Sequence, residues 1–174
     1  MTSSTTSLTG ERADLLEALA AHRHFLRFTV RGISDEQART RTTASELTLG
    51  GVLKHVAHQE ASWVQFILDG PAAIATPTDE AGFQKWADEF RLLPGETLAD
   101  VLAEYEDIAR RTDELVRTLS DLDASHPLPE APWFPPGARR SARRVFLHIV
   151  AETSQHAGHA DILRESIDGQ KTMG

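Results

Sequence analysis

Apolar positions recur at helical spacing in four long stretches of the chain, and nowhere do they alternate with period two. From Glu11 to Val30 the repeat is Leu15, Leu16, Leu19, Phe25, Leu26 and Val30, one stripe of an amphipathic helix. Gly32 stops it, and Ser34 to Gln37 spells an S-x-x-Q capping box for a short helical turn. A second helix is predicted from Thr48 to Asp69, its stripe made by Val52, Val56, Gln59, Trp63 and Phe66 or Ile67. Gly70-Pro71 ends it. Residues 71–96 read as an irregular connection, a lid or packing loop with one short helix in AGFQKWADEF. A third long helix starts at the T-x-x-D of Thr97 and continues through Leu98, Val101, Leu102, Tyr105, Ile108, Leu115 and Leu119. Residues 123–137 carry five prolines and read as a long ordered loop rather than an element. The last helix runs from Ser141 to Ile167, with Gly169 as its stop. Residues 1–9, rich in Ser and Thr, are expected to fray. Four long amphipathic segments with two long connections predict an all-α four-helix bundle.

The last helix interrupts its own apolar stripe. At 100° per residue, Glu152 and His156 fall on the same face as Val145, Ile149, Leu163 and Ile167. An ionisable pair at a core position is costly unless it is paired, protonated or bound to a metal. A carboxylate and an imidazole at i and i+4 point the same way, as two ligands of one ion must. The same spacing also suits a plain hydrogen-bonded pair on a half-exposed face, so a third ligand decides the matter. The second helix offers His55 at the edge of its stripe and His58 further outside it. His55 is the better inward ligand; His58 is a surface or supporting residue. Gln59 lies nearer the stripe centre and can line the same cavity. On the last helix, His148 supports the site or merely packs, and His159 is placed to line a pocket. His22, His24 and His126 read as structural or solvated.

Length and composition narrow the chemistry. At 174 residues, one domain spanning 1–174 is expected, able to bury about 70% of its unfolded surface. There is no cysteine, which excludes disulfides, thiolate metal sites and a thiol nucleophile of the chain's own. The net charge of −8 disfavours nucleic acid and anionic lipid as partners. No apolar run is long enough to span a membrane, and the first residues lack a signal-peptide pattern. A cytoplasmic protein is the expectation. There is no G-x-S-x-G elbow and no phosphate-binding glycine loop. Two imidazoles and one carboxylate leave an open position on a divalent ion, as in catalytic zinc sites; nickel, manganese and iron accept the same donors.

The residues that carry this chemistry also carry a family pattern. LTLGGVLKHVAHQE, GETLADVLAEY, PWF and SARRVFLHIVAETSQHAGHADILRESIDG together resemble the DinB superfamily, most closely its actinobacterial branch of mycothiol-dependent enzymes. The resemblance covers nearly the whole chain, and its last segment is the most specific. It implies a four-helix bundle, often a homodimer, with a divalent metal on His55, Glu152 and His156. It also implies thiol chemistry: mycothiol as cosubstrate, transferred to small electrophiles. Two other readings stay open. One is a metallohydrolase or isomerase in which the metal activates water and His159 or His58 is the base. The other is a non-catalytic metal- or ligand-binding stress protein. Arg143, Arg144 and Arg164 are candidates for a ligand's acidic or sugar groups, against ordinary ion pairs. Trp133 and Phe134 either plug the bundle end or wall the pocket. Trp63 and Trp86 are expected in the core, with Trp86 the alternative cover of the metal mouth.

Overall fold

A computed structural model describes Leu8 and residues 10–172 of the chain; apart from Leu8, the expectation for residues 1–9 lies outside the described residues. The elements in order are α1 (Glu11–Thr29), α2 (Asp35–Arg39), α3 (Leu49–Asp69), a 3₁₀ turn (Pro71–Ile74), α4 (Glu80–Asp88), α5 (Leu98–Thr118), β1 (Ser125–Pro127), β2 (Arg139–Ser141) and α6 (Ala142–Asp168). Among the described residues the fold is all-α, save for one small two-stranded ribbon.

Local sequence sets the helix ends. Ser34 accepts from the Gln37 amide while the Gln37 side chain accepts from the Ser34 amide, the reciprocal box expected there. Thr48, Thr97 and Ser141 each accept a backbone amide at the start of α3, α5 and α6, satisfying donors the helix itself leaves free. Gly169 closes α6 at φ 79°, a left-handed conformation that costs glycine little.

The four long helices pack in the cyclic order α1, α6, α3, α5. Their interior divides into two apolar clusters. One holds Leu26, Val56, Ile108 and Leu163; the other holds Leu19, Trp63, Val116 and Ile149. Residue numbers rise from the second cluster to the first along α1 and α6, and from the first to the second along α3 and α5. The bundle therefore runs up, down, down, up, and the long 70–97 connection is the crossover that lets α3 and α5 run the same way.

Between the clusters lies a buried polar layer: Arg23 of α1, Glu60 of α3, Thr112 of α5 and Thr153 of α6. Arg23 donates to both oxygens of Glu60 and, at 2.7 Å, to Asp113. Burial opposes the Arg23 charge, but Glu60 and Asp113 outweigh it and raise its pKa. The layer ties three helices at one level of the bundle, a role in fixing helix register that a purely apolar core lacks.

Three features differ from the sequence expectation. Phe25 is exposed and Arg23 takes its place inside, because the ion pair with Glu60 turns that face of α1 inward. The proline-rich stretch is not wholly loop: Ser125, His126 and Pro127 pair antiparallel with Ser141, Arg140 and Arg139. Three-residue strands are too short to show alternation. Trp86 is not core, since α4 buries no residue fully. No described helix is long and apolar enough to cross a membrane.

Candidate metal centre

The site forms where α3 and α6 cross beside the polar layer. Helical spacing puts Glu152 and His156 one turn apart on α6, and α3 brings His55 opposite them. Glu152 Oε1 lies 3.5 Å from His55 Nε2 and 3.3 Å from His156 Nε2. Ligand atoms of all three residues fall within 4.8 Å of one another. A tetrahedral divalent ion with bonds of about 2.0–2.1 Å holds its ligand atoms about 3.4 Å apart. The donor set fits such an ion, and two imidazoles with one carboxylate suit zinc, nickel or iron.

The surroundings hold these side chains in place. His55 is buried, and the Phe90 ring stacks on it at 4.2 Å between centroids. Phe90 reaches His55 because position 51 is glycine: a Cβ there would lie 1.9 Å from the Phe90 carbonyl oxygen. Lys54 fastens the same loop, with Nζ 2.8 Å from both Glu96 carboxylate oxygens and further bonds to the Asp88 and Arg91 carbonyls. His156 meets His159, Nδ1 to Nδ1, at 3.4 Å. Contacts from His156 and then His55 hold the Glu152 carboxyl well below the usual carboxylate range, against the opposing effect of burial. It is ionised at neutral pH.

A cleft of about 840 Å³ opens onto His55 and Glu152. Its walls come from α3, the 3₁₀ turn, α4, the proline-rich segment and the start of α6. Trp63, Trp86, Trp133 and Phe134 supply aromatic surface. Gln59 and His148 also face it. His148 packs edge-on against Trp63, with centroids 4.6 Å apart. Burial, with Arg140 nearby, lowers its pKa to about 4, so it is neutral at pH 7.

The model of the mycothiol-S-transferase family matches residues 14–169, a span that contains every residue of this cluster and cleft. The chain belongs to that family. This agrees with the DinB resemblance in the sequence. A comparison with curated proteins returns no match.

Within this family member the other candidates sort by place. His159 touches His156 but does not line the cleft. His58 faces Glu89 and Glu104 in a neighbouring cleft, at 4.0 and 3.7 Å, away from the three ligand atoms. Trp133 stands exposed at the rim, while Phe134 packs against the core as well as the cleft. Trp86 lines the cleft from α4, the alternative weighed for it. Arg143 pairs with Glu11 and Asp123, and buried Arg164 pairs with Asp168 and donates to the Thr29 and Arg31 carbonyls. Neither is free for a ligand. His126 anchors the ribbon, its Nε2 3.2 Å from the Ile67 carbonyl.

Sequence reasoning missed Arg23, Glu60, Phe90 and Arg140. For Glu60 a signal existed. It falls between Val56 and Trp63 on the buried face of α3, the same interruption that marks Glu152.

Proposed function

We propose that this family member joins mycothiol to small electrophiles, with a divalent metal, zinc foremost, held by His55, Glu152 and His156. The observation that carries the reading is the convergence of three ligand atoms, with two of their residues, His55 and Glu152, lining an aromatic-walled cleft. The family supports the thiol.

When bound in this donor set, a divalent ion supplies positive charge that lowers the pKa of a thiol beside it. The chain's own residues do the rest. Glu152, kept ionised by its imidazole neighbours, balances one unit of that charge. Phe90 and His159 restrict the rings of His55 and His156. Trp63, Trp86 and Phe134 offer flat apolar surface that excludes water from the base of the cleft and receives the electrophile's carbon frame. In the transfer, the thiol proton passes to solvent at the open mouth. Sulfur forms a bond to the electrophilic carbon, and the displaced group leaves with the bonding electron pair. A chain without cysteine brings no thiol that competes for the ion or is itself alkylated.

The test is adduct formation followed by mass spectrometry, using mycothiol and monobromobimane. The expected result is adduct formed faster than the uncatalysed background and suppressed by chelation. Adduct at the background rate overturns the transferase reading. Turnover of an ester or amide panel without any thiol would point to a metallohydrolase instead.

A further inference from the structure

Arg140, unpaired among the described residues, stands in the wall of the same cleft. It stands on β2, opposite His126 in the ribbon. Its guanidinium carbon lies 4.6 Å from the centroid of Trp63 and 5.5 Å from that of Phe134. Arg23, Arg143 and Arg164 each meet a carboxylate. Arg140 meets none among the described residues, and its buried Nη1 has no hydrogen-bond partner. The acids that line the cleft are Glu89 and Glu152, and neither pairs with it. Burial, with Arg144 adding repulsion, lowers its pKa, yet a guanidinium stays charged in proteins. A partly desolvated cation without a counter-charge is costly to keep, and an incoming anion reduces that cost. The planar fork matches two oxygens held in a plane, the geometry of a carboxylate. The flanking rings match a flat organic body rather than a bare ion.

We infer that Arg140 binds a carboxylate on the electrophile, so that the substrates of this cleft are small carboxylated electrophiles. The inference rests on the proposed transfer reaction for its word electrophile, and on the cleft alone for its carboxylate.

All three tryptophans of the chain line this cleft, so intrinsic fluorescence reports its occupancy without any chemistry. The probes are 4-methylbenzoate and its methyl ester, which carry no leaving group. Wild type is expected to bind the acid at least about tenfold more tightly than the ester, and Arg140→Met is expected to abolish that preference. Equal affinity of wild type for acid and ester, or an undiminished preference in Arg140→Met, overturns the inference. Should Arg140→Met lose helicity, Arg140→Lys carries the test. A point charge without the fork keeps only part of the preference, and an unchanged preference overturns the inference.

The companion assay uses mycothiol with 4-(bromomethyl)benzoate and its methyl ester. The C–S bond forms as the C–Br bond breaks, bromide leaves with the bonding pair, and the thiol proton goes to buffer. The acid is expected to show the lower KM in wild type, and Arg140→Met to raise it by about tenfold. An acid KM that Arg140→Met leaves unchanged overturns the inference. Fluorescence that separates acid from ester while neither bromide yields adduct sinks the transfer reading and leaves Arg140's role standing. Adduct formed equally from both does the reverse.

Discussion

Glu152 and His156 stand one helical turn apart on α6 with 3.3 Å between Oε1 and Nε2. They do so at a level of the bundle where an apolar pair would otherwise fill the stripe. The neighbouring level carries Arg23 and Glu60, an ion pair buried more deeply than Glu152 and His156. The two pairs differ in what neutralises them. Glu60 already has its cation. Glu152 has only imidazoles, together with an open cleft on its other side.

That difference predicts opposite phenotypes. Glu60→Gln leaves Arg23 buried with Asp113 as its sole counter-charge, and is expected to cost about 3 kcal/mol in urea unfolding. Replacing both partners with apolar residues, as Arg23→Met with Glu60→Leu, is expected to recover most of the loss. A cost near zero for Glu60→Gln would show that the ion pair holds nothing together.

Gly51 gives a second test at a distance from the ligands. Gly51→Ala drives a methyl into the Phe90 carbonyl, and backbone cannot yield as a flexible side chain would. The 88–96 loop must move, taking the ring off His55. The expected cost is about 1–3 kcal/mol, with a changed fluorescence from Trp86. Unaltered stability and unaltered fluorescence together would mean that the loop does not sit against α3 as described.

How much of this was legible in the chain follows from which forces are local. Caps and stripes are local, so α1, α3, α5 and α6 could be placed within a residue or two from Ser, Thr and Gly signals and apolar spacing. Glu152 and His156 stood out because they break a stripe, and His55 because it borders one. On α3 the projection favoured Gln59 at a stripe position. The structure buries Glu60, one residue on, because Arg23 reaches it from another helix. Arg140 gave no signal at all. Its surroundings are assembled from α3, the proline-rich segment and a ribbon too short to leave a pattern. The close approach of Phe90 to Gly51 is likewise invisible until the loop is seen folded back on the helix.

His148 predicts a pH dependence. Burial and then Arg140 lower it from 6.5 to about 4, so as pH falls the unfolded chain takes up this proton before the folded one does. Between those values the unfolded state binds more protons, and stability falls with falling pH. Replacing the imidazole by His148→Gln is expected to flatten Tm between pH 6.5 and 5 relative to wild type. Parallel curves would contradict the assignment. Glu96 acts lower. Burial raises it, but Lys54 and the Leu93 amide together outweigh burial, leaving it below 4.5. Its stabilising effect is present above that value and is lost as pH drops further, below the pH 6.5 to 5 interval in which His148→Gln is read.

The central claim is that His55, Glu152 and His156 together hold a divalent ion, and metal content tests it most directly. Elemental analysis of protein purified without chelators is expected to find about one equivalent of a divalent metal in wild type. Glu152→Ala and His156→Ala, each with helicity intact by circular dichroism, are expected to retain less than about a tenth of that. Full stoichiometric metal in His156→Ala would contradict the account.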